Sequence, residues 1–140
     1  MEKLKPYSAS ILAFGGLLLV AMGIYFVFLR PALLPEDFKY IGTTSTIVKE
    51  NFPQLTVWLH KVFWVIGSYI FTTGLLTIYI ALTSYRTRTH GAFSIILISG
   101  ITSIGFMTIV NFNLNSDFKW MLLAFTFPWF IALALYKLQK

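Results

Sequence analysis

The chain has 140 residues, of which 57% are hydrophobic and only 11% are charged. Because soluble globular domains carry about 25% charged residues, this composition excludes an ordinary soluble domain and indicates one domain embedded in lipid. The formal net charge is +6, but the basic residues form no stripe with interleaved aromatic residues, so nucleic acid is not an expected partner. The sequence contains no cysteine, which excludes disulfides, thiol redox chemistry, iron–sulfur clusters and covalently attached haem.

Four apolar segments occupy most of the chain, at residues 8–29, 57–85, 91–112 and 119–136. With a rise of about 1.5 Å per residue, a helix of each length crosses a hydrocarbon core of about 30 Å. None of the segments has the polar face that a helix in a soluble bundle requires. The sequence therefore predicts an all-α fold in which residues 1–140 form one four-helix transmembrane bundle surrounded by membrane lipids.

The first segment follows a positively charged start, Met1 to Lys5, which is also a feature of signal peptides. It is longer than the apolar core of about 7–15 residues in a signal peptide, and it ends at Arg30-Pro31 without a small-residue cleavage site. We therefore expect this segment to be retained as the first membrane span.

The charged residues divide unevenly between the two ends of the predicted bundle. The end with both termini and the second loop carries one acid, Glu2, and six basic residues: Lys3, Lys5, Arg86, Arg88, Lys137 and Lys140. The other end carries both signs in equal number: Arg30, Lys39, Lys49, Lys119, Glu36, Asp37, Glu50 and Asp117. By the positive-inside rule, both termini are expected to be cytoplasmic.

The connection between the first two segments is long and is interrupted by Pro31, Pro35 and Pro53. Pro35 is followed at once by Glu36 and Asp37, and proline and acidic residues favour the first turn of a helix. Apolar residues further along this loop suit a position at the membrane interface or over the end of the bundle. A short interfacial helix is therefore expected in the loop.

Small residues recur every seven positions in two of the segments. In the first segment they are Ala9, Gly16 and Gly23, and in the second they are Gly67, Gly74 and Ala81. Small residues at one heptad position let two helices approach closely, which is how helices associate when lipid removes the hydrophobic drive. We therefore predict that helices 1 and 2 pack along these stripes. Short connections further predict that helices 2 and 3, and helices 3 and 4, are antiparallel neighbours.

His60 lies one heptad before Gly67, so it is predicted to face the packed interior rather than lipid. Lys61 begins the adjacent stripe of the same helix. Ionisable side chains at membrane depth are costly and usually face a bundle interior or an aqueous cavity, which makes His60 and Lys61 a candidate functional site. The alternative is that both residues lie in the headgroup layer, where the Lys61 ammonium reaches water.

Further polar residues are predicted at the same end of the bundle as His60. They are Arg30, Glu36, Asp37, Asn111 and Asp117. Together with His60 and Lys61 they are candidates for a ligand-binding pocket with the loop after Pro35 as its lid. Asp117 also suits the N-cap of the fourth helix. Trp64 is a ligand-stacking candidate that equally fits an aromatic belt at the membrane interface.

No cofactor or metal is expected. A membrane dihaem cytochrome needs two histidines on facing helices, and only His60 lies near a span. A metal site would have to combine His60 with scattered carboxylates, a set of ligands too loose to predict one. No acidic residue lies inside the four segments, which weakens a proton-coupled exporter, while a homo-oligomeric channel lined by serine and threonine stays open.

Five parts of the chain are familiar as a set: Leu33 to Gly42, Lys61 to Val65, Thr72 to Thr77, Val110 to Phe112 and Ser116 to Trp120. They resemble an uncharacterised family of small four-span bacterial inner-membrane proteins that is similar in layout to the DoxX-like families. The resemblance implies a multi-pass protein of the bacterial inner membrane with the Pro-Glu-Asp loop in the periplasm. It implies no catalytic residue, because the motifs of that family are tied to no established activity.

Three functions are open at this point, and the sequence favours the first. The protein binds a lipid-like or other amphiphilic ligand, or docks a membrane protein partner, at its periplasmic end. Alternatively, it is a small enzyme that acts on a lipid or isoprenoid head group with His60 as general base, because the pKa of histidine lies near neutrality. The enzyme requires a carboxylate from Glu36, Asp37 or Asp117 within hydrogen-bonding distance of His60. The third function, an oligomeric channel, requires a continuous polar route lined by Ser68, Thr72, Thr73, Ser99 and Ser103.

Overall fold

The structure, a computed structural model, describes residues 5–138, and within this range it is helical without β-strands. Of the charges counted above, Glu2, Lys3 and Lys140 lie outside the described residues. Four helices are long and apolar enough to cross a membrane, and they are called spans 1 to 4: Tyr7–Leu29, Pro53–Tyr85, Ala92–Asn113 and Lys119–Leu138. The predicted all-α fold with four membrane-crossing helices is confirmed, and it is compatible with a multi-pass integral membrane protein.

Spans 1, 2 and 3 contain π-helical as well as α-helical turns, and span 4 is α-helical throughout. In chain order the α-helices are α1 (Lys5–Ile24), α2 (Pro35–Ile41), α3 (Ser45–Asn51), α4 (Pro53–Ile80), α5 (Ala92–Gly100), α6 (Phe106–Asn113) and α7 (Lys119–Leu138). Wider π-helical turns end span 1 at Tyr25–Leu29, end span 2 at Ala81–Tyr85 and join α5 to α6 at Ile101–Gly105. π-Helical turns are rare overall, but where they occur they often lie at functional sites. These three segments therefore mark regions where a functional site is expected.

The loop between spans 1 and 2 forms two short helices, where the sequence predicted one. Pro35 is the first residue of α2, and the Asp37 carboxylate accepts the Leu34 N–H at 2.7 Å, so the predicted helix start is confirmed. Gly42 ends α2 with a φ of 73°, a left-handed conformation that glycine adopts without strain. The Thr44 hydroxyl then caps α3. This break at Gly42 explains the second helix.

Span 1 lies between spans 2 and 4, and its packing against span 2 confirms the predicted glycine seam. A Cβ atom built on Gly74 would lie 2.7 Å from the Gly16 carbonyl oxygen, and one built on Gly23 would lie 2.6 Å from the backbone nitrogen of Phe71. Both distances are too short for any larger side chain. The two backbones therefore meet directly, without intervening side chains.

Span 4 is positioned by Trp129, a buried side chain that is 3% exposed. A Cβ atom on Gly15 of span 1 would lie 2.6 Å from the indole, and a Cβ atom on Gly100 of span 3 would lie 2.5 Å from it. Pro128, also buried, precedes this residue inside the helix. The indole thus packs directly against the backbones of Gly15 and Gly100 in the neighbouring spans.

Spans 3 and 4 pack along their lengths, as predicted, but spans 2 and 3 meet mainly near their connecting loop, within the part of the chain that the structure describes. At that end the buried Tyr85 hydroxyl donates a hydrogen bond of 2.8 Å to the Ala132 carbonyl, which ties span 2 to span 4. The opposite end, which carries α2 and α3, is called the loop end below. Toward this end the buried Thr108 hydroxyl of span 3 donates a hydrogen bond of 3.2 Å to the Leu122 carbonyl of span 4, while a space remains between spans 1, 3 and 4.

Candidate functional site

A cavity of about 930 Å³ lies at the loop end and is called the roofed cavity below. Its apolar walls come from spans 1, 3 and 4, and include Leu18, Met22, Met107, Leu122 and Phe125. Its polar roof comes from α2 and from the turn between spans 3 and 4. The cavity therefore has an apolar interior along the membrane-crossing helices and a charged end where the chain leaves them.

Five of the eight predicted site residues line the roofed cavity. They are Arg30, Glu36, Asp37, Asn111 and Asp117. The structure thus brings together residues from the end of span 1, from α2, from span 3 and from the turn before span 4. Lys39 of α2 also lines the cavity, a residue that the sequence analysis counted among the charges but did not place in the site.

Arg30 is fixed by stacking and by an ion pair. Its guanidinium carbon lies 3.5 Å from the centre of the Phe63 ring, and its Nη2 lies 3.5 Å from the Asp37 carboxylate. Nη1 donates to the carbonyl oxygens of Pro31 and Ala32, at 2.9 and 3.5 Å. Burial lowers the pKa of Arg30, and the nearby Asp37 carboxylate opposes this effect. Since arginine remains protonated under all ordinary conditions, the side chain is an anchored cation.

Glu36 joins α2 to the turn between spans 3 and 4. Its carboxylate accepts the Ser116 hydroxyl at 3.0 Å and the Asp117 backbone N–H at 2.8 Å. Ser116 is buried, 6% exposed, and its oxygen in turn accepts the Phe118 N–H. Hydrogen bonds to a charged group are worth more than neutral ones. This set of bonds, called the Glu36 clasp below, holds one side of the roof in place.

Sequence reasoning missed Ser116. Its partner Glu36 is 80 residues away in the sequence, and no local pattern predicts a contact at that distance. The nearest signal was the predicted N-cap of the fourth helix, which the sequence analysis assigned to Asp117. The structure gives the hydrogen bond at this helix start to Ser116 instead. Asp117 is exposed, and within residues 5–138 its carboxylate makes no hydrogen bond or ion pair.

His60, Lys61 and Trp64 lie apart from the other five predicted residues and line neither of the cavities described here. The His60 ring is 5.2 Å from the Trp64 ring in an edge-to-face arrangement, and Lys61 is exposed. The sequence predicted that His60 lies on the face of span 2 that packs against span 1. Since the helical part of span 1 ends at Leu29, that packed face does not extend as far as His60. Their predicted binding role stays a prediction.

A second cavity of about 410 Å³ lies between spans 2 and 3, beside the π-helical segment Ile101–Gly105. Thr73, Thr102 and Ser103 contribute hydroxyl groups to it, and each hydroxyl donates to a carbonyl of its own helix. Of the five residues that a channel would need, only Thr73 and Ser103 line this cavity. Met107 lines both cavities.

Comparisons give no further guide to function, since no family model, no curated protein and no solved structure matches this chain. Within the described residues, no group of three or more histidine, aspartate or glutamate side chains is placed to hold a metal ion. None of the carboxylates of Glu36, Asp37 and Asp117 is hydrogen-bonded to His60 in the described part of the chain. The function has to be argued from the roofed cavity.

Proposed function

We propose that this protein binds an amphiphilic molecule in the roofed cavity, with the apolar part of the ligand between the spans and its head group beneath α2. The observation that carries the proposal is the division of the cavity into apolar walls and a charged roof. Binding pockets for small molecules usually have a mostly apolar lining with a few polar groups that orient the ligand. The roofed cavity matches this description.

The size and the rim of the cavity support the proposal. Its volume of about 930 Å³ lies within the range of about 300–1,000 Å³ that is common for such pockets. Tyr25, Leu114, Phe118 and Met121 line the cavity and are partly exposed. These exposed, largely apolar side chains support entry of a hydrocarbon chain from the bilayer.

The proposed ligand arrives from the outer leaflet. The described loops at the end opposite α2 carry Arg86 and Arg88 without acidic residues, while the loop end carries charges of both signs. By the positive-inside rule, this distribution supports an outer position of the roof. The bacterial inner membrane and a DoxX-like layout are part of the same proposal, and the sequence resemblance is their support.

The enzyme with His60 as general base is a weaker candidate on this geometry. General base catalysis requires a side chain within hydrogen-bonding reach of the reacting group. His60 contacts Trp64 and lies outside the roofed cavity, so a ligand held there does not meet it. The proposed function is accordingly binding, and the residues that matter are those of the cavity.

The proposal is tested by identifying what co-purifies with the protein from native membranes, using lipid mass spectrometry. Ala21 lines the cavity, and Ala21→Trp places an indole in it. Leu17 of the same span lines neither cavity and is 55% exposed, so Leu17→Trp is the matched control. We expect an enriched amphiphile that is retained by Leu17→Trp and lost from Ala21→Trp.

The proposed function is contradicted if the cavity variant changes nothing. If the same lipids accompany the wild-type protein and Ala21→Trp in the same ratio, no molecule occupies the cavity and the proposed function is wrong. Enrichment of a membrane protein without any enriched amphiphile would favour partner docking at the loop end instead.

A further inference from the structure

The charges around the roofed cavity point to the chemical class of the ligand. Three carboxylates line it, those of Glu36, Asp37 and Asp117, against the two cations Arg30 and Lys39. The groups differ in how far they are already engaged within the protein. This difference decides which head group the cavity accepts.

Arg30 already uses much of its guanidinium within the protein. One face lies on the Phe63 ring, and both terminal nitrogens donate hydrogen bonds, to Asp37 and to two backbone carbonyls. A phosphate or sulfate head group is recognised by forked N–H groups, and of the five guanidinium donors only the Nε–H and one Nη2–H are left for it. Arg30 therefore holds the roof first and offers an anion only part of its fork.

The carboxylates are less engaged within the protein than Arg30, so negative charge is available to a ligand. Glu36 shares its carboxylate with two donors, but the carboxylate of Asp117, next to it, has no partner within the described residues. The backbone nitrogen of Asp117 is only 2.8 Å from the Glu36 carboxylate, so both residues lie on the same side of the roof. An anionic head group at this position meets like charge, which costs binding free energy.

Aromatic rings stand at the rim of the same space. Tyr25, Tyr40 and Phe118 all line the cavity and are partly exposed. Aromatic faces attract ammonium groups, and quaternary ammonium ligands are commonly recognised by aromatic side chains. Carboxylates and aromatic rings around one cavity are the two features that such recognition requires.

We propose that the ligand of the roofed cavity carries an ammonium head group, which lies between the Asp117 carboxylate and the aromatic rim. This inference rests on the proposed function and specifies its ligand class. Lys39 opposes the ammonium through its charge, but its side chain is exposed and long enough to extend into water. Among the residues that line the cavity, the carboxylates exceed the cations by one, and the nearby Lys119 ammonium is already bound by the Asn115 side chain. The lining therefore favours an ammonium over a phosphate.

The test uses three photoreactive ligands that share a dodecyl chain with a diazirine and differ only in the head group: trimethylammonium, maltoside or phosphate. The protein is placed in lipid nanodiscs, irradiated, and mapped by peptide mass spectrometry. Labelling of cavity residues is divided by labelling of the exposed Leu75 and Leu76 on span 2, which corrects for partition into the bilayer. We expect the corrected labelling of the cavity to be about tenfold higher for trimethylammonium than for phosphate.

Variants assign the effect to the proposed group. Asp117→Asn should reduce the corrected trimethylammonium labelling several-fold and leave the maltoside labelling unchanged, and Lys39→Gln should increase the trimethylammonium labelling. Glu50 is an exposed acid of α3 that does not line the cavity, so Glu50→Gln is the matched control. The side chain of Asp117 makes no hydrogen bond within residues 5–138, so its replacement leaves the fold intact.

The outcomes separate this inference from the proposed function. Equal cavity labelling by all three ligands, or stronger labelling by the phosphate, overturns the ammonium inference and retains amphiphile binding. Cavity labelling no higher than that of Leu75 and Leu76 for every ligand overturns both. Loss of trimethylammonium labelling in Glu50→Gln as well as in Asp117→Asn assigns the effect to general surface charge and also overturns the inference.

Discussion

Span 1 packs differently on its two faces. On the face toward span 2, Gly16 and Gly23 let the backbones meet, with no space for a methyl group. On the face toward spans 3 and 4, Gly15 packs tightly against Trp129, but further along the helix Leu18 and Met22 border a cavity of about 930 Å³. The same helix thus provides a tightly packed face and, toward the loop end, an open wall.

The largest expected effect comes from breaking the tight face. In Gly23→Leu, the new side chain begins 2.6 Å from the Phe71 backbone, and backbone atoms of span 2 have to move. We expect a loss of about 3 kcal/mol in the free energy of unfolding, the upper part of the range for overpacking. Denaturation in detergent, followed by circular dichroism, measures it.

Two controls bring out the contrast between the faces. Ile24, next to Gly23, is 42% exposed, and Ile24→Leu should unfold like the wild-type protein. Ala21→Trp adds more volume than Gly23→Leu but on the cavity side, where the expected change is within about 0.5 kcal/mol. If Ala21→Trp is as damaging as Gly23→Leu, the two faces do not differ and the comparison fails.

A smaller effect is expected from opening the roof at the Glu36 clasp. Glu36→Ala leaves the buried Ser116 hydroxyl without its acceptor, which costs about 1–3 kcal/mol. The loss should appear locally, as faster hydrogen exchange of the amides of Gly42 and Thr43, whose acceptors lie in α2. Exchange within span 1 should be unchanged.

The Glu36 clasp also predicts that the losses of stability in the Glu36 and Ser116 variants are not additive. Because Glu36 and Ser116 contact each other, Ser116→Ala should add little to the effect of Glu36→Ala, as expected for residues in one network. Glu50→Ala, in exposed α3, is the control for loss of a nearby carboxylate. Additive effects of the Glu36 and Ser116 variants would show that the two side chains stabilise the protein separately.

On the other side of the roof, replacing Arg30 should lower the free energy of unfolding by about 1 kcal/mol. Arg30→Lys keeps the charge but loses the flat guanidinium that lies 3.5 Å from the Phe63 ring, a contact worth roughly 0.5–2 kcal/mol. A double-mutant cycle with Phe63→Leu measures this coupling. A coupling free energy near zero would mean that Arg30 is held by Asp37 alone.

The spans and the tight face could be predicted from the sequence because both depend on local patterns. Apolar length determines a membrane-crossing helix, and the seven-residue spacing of Gly67 and Gly74 marks one face of it. The structure extends span 2 to Pro53, four residues before the predicted start, because the chain continues as a helix through Gln54 and Leu55. Because these residues are polar or interfacial, a hydropathy pattern does not include them in the predicted span.

The site could be predicted only in part, for a different physical reason. Arg30, Asn111 and Asp117 were placed at one end because helix ends must coincide there, whatever the packing. The Glu36 clasp depends on where α2 lies across the bundle, which local pattern does not determine. The placement of His60 assumed that the tight face continues one heptad beyond Gly67, whereas span 1 leaves its helix at Arg30.

The smallest effect is expected at the residues that the sequence singled out most strongly. His60 contacts the Trp64 ring edge-to-face, and Lys61 is exposed, so neither supports the tight face or the cavity. The double variant His60→Ala/Lys61→Ala should lose no more than about 1 kcal/mol, the value of one aromatic pair. It should also keep any amphiphile that co-purifies with the wild-type protein.

That double variant separates the structural argument from the sequence argument. The sequence pattern and the roofed cavity both indicate a binding site at the loop end, but only the sequence pattern includes His60 and Lys61 in it. Loss of the amphiphile from the double variant, with retention in Ala21→Trp, would move the site to span 2 and leave the roofed cavity without a function. The reverse pattern assigns binding to the open wall of span 1, where apolar walls and a charged roof adjoin.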